Sequence, residues 1–216
     1  MEIWDCLRSP AAPAALNMAV DHALLRFAVT RGRPLFRLYT WCQPAVSYGY
    51  FQKYPTQLAG QYEIVRRPTG GGLVYHGQDT TYTIVIPPGH ALDRLSTNAA
   101  YLAIHRAVAA ALTAQAALLP HAQAPRGQYE CFQNPVAGDV VAGTQKLAGG
   151  AQRRGRAGVL HQGSIAGRVD ADRLLAAFRT EFNIEFVPYT LTAPEQAEAD
   201  RLCREKYAAS SQPKRG

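Results

Sequence analysis

The stretch Arg66-Arg67-Pro68-Thr69-Gly70-Gly71-Gly72-Leu73-Val74-Tyr75-His76 decides how this chain is read. Three consecutive glycines sit between two short β-rich runs, Glu63 to Arg66 and Leu73 to Tyr75, without the third glycine that a GxGxxG nucleotide fingerprint requires at its spacing. A second glycine pair, Gly138 and Gly143, is followed by Thr144 where a P-loop needs lysine, so that fingerprint fails as well. Working outward, Leu35 to Thr40 and Ala45 to Tyr48 precede the stretch, and Thr80 to Ile86, closed by Pro87-Pro88, follows it. These runs are joined mainly by tight turns with few helices between them. The expectation is an α+β fold with a largely antiparallel mixed sheet flanked by helices, not a doubly wound one.

Helical spacing of Leu16, Ala19, Val20, Ala23, Leu24 and Phe27, stopped by Gly32 and Pro34, predicts an amphipathic helix from Ala14 to Arg31. A second is predicted from Ser96 to Ala117, with Tyr101, Ile104, Val108 and Leu112 on one stripe. Strands return at Asp139 to Ala142, Lys146 to Gln152 and Gly158 to Ile165, the last two separated by the basic turn Arg153 to Arg156. Asp172 to Phe182 reads as a short helix. Thr192, Pro194 and Glu195 form a capping-box signature that opens a final helix toward Ala209. One domain over residues 1–209 is expected, with 210–216 a disordered tail.

The 216 residues are 47% hydrophobic and 18% charged, enough apolar surface to bury a core. Lys+Arg 23 against Asp+Glu 16 leaves a net charge of +7, compatible with anionic or acidic partners. The basic residues are scattered and no aromatic stacking platform accompanies them, which argues against nucleic acid. No stretch reaches the roughly 18 to 20 apolar residues of a membrane span, and no export leader opens the chain, so a cytoplasmic location is expected. Cys6, Cys42, Cys131 and Cys203 contain no CxxC pair, so neither a metal cage nor a disulfide framework is suggested.

The glycine string leaves bare backbone N–H groups able to meet an anion or a carbonyl oxygen, with two arginines beside it; alone it reads more readily as a flexible hairpin turn. Context comes from Gly143-Thr144-Gln145-Lys146-Leu147-Ala148-Gly149-Gly150-Ala151-Gln152-Arg153-Arg154 and from His161-Gln162-Gly163-Ser164-Ile165. Together the three strings resemble the biotin/lipoate protein ligase and transferase family, lipoate branch. Asn17-Met18-Ala19 and Gly49-Tyr50-Phe51-Gln52 add to the resemblance, which runs from about Leu16 to Ile165. It implies one acyl pocket built from Arg66, Arg67, Thr69, Gly70, Gly71, Gly72, His76, Gly149, Ala151, His161 and Gly163, serving to deliver an acyl group to a lysine of a carrier domain.

Glu130-Cys131-Phe132-Gln133-Asn134-Pro135 resembles the Cys-Phe-x-x-Pro stretch of single-cysteine octanoyltransferases, and Cys131 precedes Lys146 by 15 positions. A thiolate suits exchange with a thioester, which needs no nucleotide. Lys146 is given the role of favouring that thiolate and stabilising the oxyanion at the acyl carbonyl. His76 and His161 are candidates for orienting the thiol or shuttling protons, or are structural histidines. The resemblance implies acyl carrier protein as donor and a lipoyl domain, of the glycine cleavage H protein or a dehydrogenase E2 subunit, as acceptor. The arginine turn at 153–156 faces an acidic carrier or is a solvated hairpin tip.

Other readings stay open. Three consecutive glycines suit a ligase loop, which would bring ATP and Mg as cofactors, whereas Gly77 after His76 and the lack of an accessory C-terminal domain favour the transferase. Val136-Ala137-Gly138-Asp139 lacks the aromatic-acidic pair often found before the transferase strand. A two-chain ligase, an amidotransferase between carrier domains and a non-catalytic acyl-binding domain are the alternatives.

Overall fold

The computed structural model describes residues 1–121 and 135–208. In chain order the strands are β1 (Glu2–Arg8), β2 (Leu35–Tyr39), β3 (Ala45–Tyr48), β4 (Glu63–Arg66), β5 (Leu73–His76), β6 (Thr80–Ile86), β7 (Ala117–Leu118), β8 (Val140–Ala142), β9 (Gln145–Gly155), β10 (Gly158–Ile165) and β11 (Ile184–Pro188). The helices are α1 (Ala14–Arg26), α2 (Ala28–Arg31), α3 (Ala91–Arg94), α4 (Thr97–Ala111), α5 (Ala171–Phe182) and α6 (Ala193–Leu202). An eight-stranded sheet runs β11-β1-β2-β6-β10-β9-β8-β7, and a three-stranded sheet runs β4-β3-β5. The large sheet is antiparallel from β2 to β7 and parallel at β11-β1-β2. This is the α+β architecture expected, with helices on both faces. No helix among the described residues is long and apolar enough to cross a membrane.

Strand alternation divides the core in two. One face of the large sheet, with Phe36, Ile84 and Val159, packs on α4 and α5; the other, with Leu35, Val85 and Leu160, packs on α1 and α6. The expected amphipathic helix from 14 to 31 is broken at Phe27 and capped by Gly32 in the left-handed region (φ 69°). It is no simple stripe either: residues 17 to 25 are all buried, and the polar ones among them are absorbed by hydrogen bonds. Asn17 donates through Nδ2 to the carbonyls of Ala12 (3.2 Å) and Thr40 (3.0 Å). Asp21 pairs with Arg37 at 2.7 Å, and the ring nitrogen of His22 meets Tyr207 Oη at 2.9 Å.

The second predicted helix stops at Ala111 rather than Ala117. Its alanine-rich pattern continues past that point, but Ala117 and Leu118 find a better partner in Val141 and Val140 and become β7. The final helix changes to a π-helical turn over Cys203–Tyr207 instead of continuing to Ala209. The Thr192 capping box is present in full, as is Ser96 capping α4 through Ala99 N–H. Strands β1, β7 and β11 were not anticipated. The 210–216 tail lies outside the described residues.

The glycine stretch is not a hairpin. Strands β4 and β5 both pair with β3, on opposite sides, so residues 67–72 cross over the end of β3. That crossing is tight: a Cβ on Gly49 would stand 2.0 Å from the Gly71 carbonyl oxygen. Position 49 therefore tolerates only hydrogen, which gives the Gly49-Tyr50-Phe51-Gln52 string a packing reason.

Candidate functional site

A cavity of about 520 Å³, its mouth included, lies between the two sheets and α1. Its floor is the β9/β10 hairpin, where Gly149 pairs with Ser164, Gly150 with Gly163 and Ala151 with Gln162. Because side chains alternate, Gly149, Ala151, Gln162 and Ser164 face the cavity side. His161 points away from it, into a ring cluster with Tyr82, Tyr101 and His105. Burial, and then His105, push its pKa well below the usual histidine value, so it is a neutral core residue. Gly163 leaves room for Tyr82, whose ring a Cβ would meet at 2.2 Å.

The roof is the small sheet and the glycine crossing. Arg67 is buried, and its guanidinium donates to the carbonyls of Gly70 (2.7 Å), Gly72 (2.7 Å) and Ser47 (3.0 Å). It fastens the crossing from inside. Arg66 instead lies outside the cavity, stacked on Tyr48 and donating to the carbonyls of Tyr50 (2.6 Å) and Gln52 (2.7 Å). Thr69 donates to Gln162 Oε1 (2.8 Å), and Gln162 Nε2 donates to Asp21 Oδ2 (2.7 Å). The crossing is thereby tied through Gln162 to the buried Asp21–Arg37 pair. Gly71 lines the cavity; Gly70 has open space around it.

His76 closes one end, stacked on Trp41 at 3.9 Å between ring centroids. Its Nδ1 is 2.7 Å from Asp79 Oδ2 and its Nε2 is 2.8 Å from Ser47 Oγ. Burial lowers the His76 pKa and outweighs the Asp79 carboxylate. The ring is neutral, with Nδ1–H donating to Asp79 and Nε2 accepting from Ser47. Burial works against ionised Asp79, but His76, Ser164 and the Gly77 N–H together hold its carboxyl below the usual value. Ser164 and Thr81 also donate to Asp79 Oδ2, at 2.7 and 3.0 Å.

Lys146 lines the other end of the cavity and is buried. Its Nζ is 2.7 Å from Asp139 Oδ2. Asp139 also accepts from Tyr101 Oη (2.6 Å) and from the Val136 N–H (2.7 Å), and Tyr101 Oη accepts from the Gly150 N–H (3.0 Å). A Cβ on Gly149 would stand 2.6 Å from Lys146 Nζ and 3.0 Å from Asp139 Oδ1, so that glycine makes the space the ion pair occupies. A cation held at the end of a small-residue trough can stabilise a developing oxyanion.

Cys131 lies outside the described residues. None of the described cysteines lines the cavity, and burial raises the Cys6 and Cys203 thiol pKa values. Among the described residues no group of His, Cys, Asp and Glu could hold a metal ion. Sequence reasoning missed Asp139, Asp79, Gln162 and Ser164. Strand alternation around His161 could have found the last two; the carboxylates meet their partners only through the fold.

The lipoyl protein ligase A/B catalytic domain matches residues 13–186. The chain is 33% identical over 189 residues to the octanoyltransferase LipM of Oceanobacillus iheyensis, covering 82% of this chain and 69% of that protein. It is 27% identical over 268 residues to LipM of Geobacillus kaustophilus, covering 95% and 96%. The fold is shared with the bi-partite lipoate protein ligase of Thermoplasma acidophilum, solved in a study that includes its E2 lipoyl domain, with a TM-score of 0.72, 19% identity and coverage of 96% and 93%.

Proposed function

The chain belongs to the lipoyl protein ligase A/B catalytic-domain family, and from that premise we propose that it is an octanoyltransferase of lipoate assembly working through a thioester on Cys131. The observation that carries this reading is the buried Lys146 ammonium at the end of a trough floored by Gly149, Gly150 and Ala151. The relatives named octanoyltransferase support the acyl class. An apolar tail gains about 0.8 kcal/mol per buried methylene, on the order of 5 kcal/mol for an octanoyl chain.

In the first half-reaction the Cys131 thiolate attacks the carbonyl of an octanoyl thioester on acyl carrier protein. A carbon–sulfur bond forms, the donor's carbon–sulfur bond breaks, and the donor thiolate leaves and takes a proton. In the second, the neutral amine of a lipoyl-domain lysine attacks the same carbonyl. A carbon–nitrogen bond forms, the carbon–sulfur bond to Cys131 breaks, the proton shed by the amine passes to water, and the Cys131 thiolate is regenerated. Lys146 Nζ stabilises the oxyanion in both steps, where one such donor is worth about 10²–10³ in rate. The carboxylate of Asp139 fixes where that ammonium sits. His76 and Thr69 shape the pocket rather than move protons.

Supporting the cysteine assignment, Pro135 is the fourth residue after Cys131, and four residues span at most about 14 Å. Pro135 leads directly to Val136, whose N–H binds Asp139. The reading spends no nucleotide and places the protein in the cytoplasm with its two carriers. The test is incubation with octanoyl carrier protein followed by intact mass. The wild-type chain gains one octanoyl group and Cys131→Ala gains none. An unmodified wild-type chain, or pyrophosphate released from ATP and lipoate, would replace this reading with binding or ligation.

A further inference from the structure

Beside the cavity mouth lies a second hollow of about 650 Å³, lined by Tyr50, Phe51, Gly70, Gln152, Arg153 and Arg154 among others. It adjoins the acyl cavity, because Gly70 precedes Gly71 and Gln152 follows Ala151, both cavity-lining residues. Phe51 is 88% exposed, its ring edge-on to Tyr50 with centroids 5.2 Å apart. An aromatic standing free beside arginines is the composition of a protein-binding hot spot.

The charges here are one-sided. No acidic residue lines the hollow. Arg154 is spent on structure, its Nη1 donating to the carbonyls of Asp93 and Leu95 at 3.0 Å each. Arg153 makes no ion pair among the described residues. It also stands near Lys206, whose ammonium is pushed below the usual lysine value by burial and then by Arg153 and Arg26. Arg26 is answered by Glu198, but Arg153 and Lys206 make no ion pair among the described residues, and the repulsion between them is relieved by an incoming anion.

Resting on the transferase reading, we propose that this hollow docks the acidic donor carrier, with Phe51 as the apolar anchor and Arg153 receiving the phosphodiester of the carrier's prosthetic arm. Charge separates the two carriers. The donor brings a negative phosphodiester past this rim toward the cavity, whereas the acceptor's reacting group is an uncharged amine that gains no attraction from a cation. The surface therefore serves acyl loading.

The test compares two donors in single-turnover acylation followed by intact mass: octanoyl carrier protein, and octanoyl-pantetheine, which has neither carrier domain nor phosphate. Arg153→Glu should slow loading from the carrier by at least about tenfold, abolish its salt sensitivity, and leave loading from octanoyl-pantetheine unchanged. Phe51→Ala should weaken binding of the non-acylated holo-carrier in a direct titration without changing octanoyl-pantetheine loading. The proposal is overturned if Arg153→Glu loads normally from the carrier. It is equally overturned if both donors slow together, or if the defect appears only in transfer to the lipoyl domain. A wild-type chain that binds the holo-carrier but is acylated by neither donor would sink the transferase reading while keeping the docking site.

Discussion

Two parts of the cavity wall, the glycine crossing and the lysine end, are built on different plans. At the glycine crossing, position is fixed many times over. Arg67 holds three carbonyls, Thr69 is tied to Gln162, Gln162 to Asp21, and Asp21 to Arg37. At the lysine end, the ammonium meets Asp139, which is held by Tyr101 and the Val136 N–H, in a space left by Gly149 and beside the two-residue strand β7. The crossing behaves as scaffold, and the lysine end holds a charged group on a smaller network. Buried polar networks rigidify when fully satisfied, so stability should reside at one end and turnover at the other.

The largest expected effect breaks the scaffold. Arg37→Met strands the buried Asp21 carboxylate and should cost about 3–5 kcal/mol, read as a loss of denaturation midpoint. At the other end, Lys146→Met should lower turnover by about 10²–10³ and also destabilise the fold by leaving Asp139 unpaired. Adding Asp139→Asn should restore most of that stability and none of the activity. Recovery of activity in the double variant would show that the cation does not take part in the chemistry.

The two close-packed glycines sharpen the contrast. Gly49→Ala sets a methyl against the Gly71 carbonyl, a backbone atom, and should cost about 1–3 kcal/mol. Gly149→Ala meets side-chain ends instead, those of Lys146 and of Asp139. It should cost less than about 1 kcal/mol in stability yet shift the ammonium and slow acyl transfer by roughly tenfold. Equal stability losses in thermal melts would erase the distinction between the ends.

A pH effect is shared by the whole core. His22 and His105 are pushed down to about 3 and about 4, chiefly by burial, and His76 and His161 are lowered as well. Each is neutral when folded and takes up a proton on unfolding once the pH drops below the unfolded value near 6.5. Stability is therefore present above that pH and declines as acid is added, by about 1.4 kcal/mol per pH unit for each proton taken up. Melts between pH 7 and pH 4.5 would expose a flat profile if these rings were solvated.

Much of this was legible in the sequence where the signal is local. Ala45–Tyr48, Glu63–Arg66, Thr80–Ile86 and Gly158–Ile165 are bounded by turn residues and were placed to the residue; the capping box at Thr192 needs only its own four positions. Strands β1 and β11 were not legible, because their pairing partners lie far along the chain and Asp5 interrupts the apolar pattern. The glycine string announced a site but not its topology, since nothing in residues 66–76 says that β3 lies between the flanking strands. Lys146 could be named from its motif. Its partner Asp139 could not, because it sat in a segment that departs from the family pattern. Likewise Gln162 and Ser164 were hidden behind the more conspicuous histidine beside them.

The parallel pairing of β1 with β11 carries a consequence for synthesis. Residues 2–6 lie alongside 184–188, and Trp4 stacks on Phe182 with ring centroids 5.3 Å apart. A ribosome releases β1 long before β11 exists, so residues 2–6 wait with one flank open until residues 184–188 have emerged. The indole at position 4 lacks the Phe182 and Phe186 side of its packing until that strand arrives, which makes its emission a natural clock for the docking of β11.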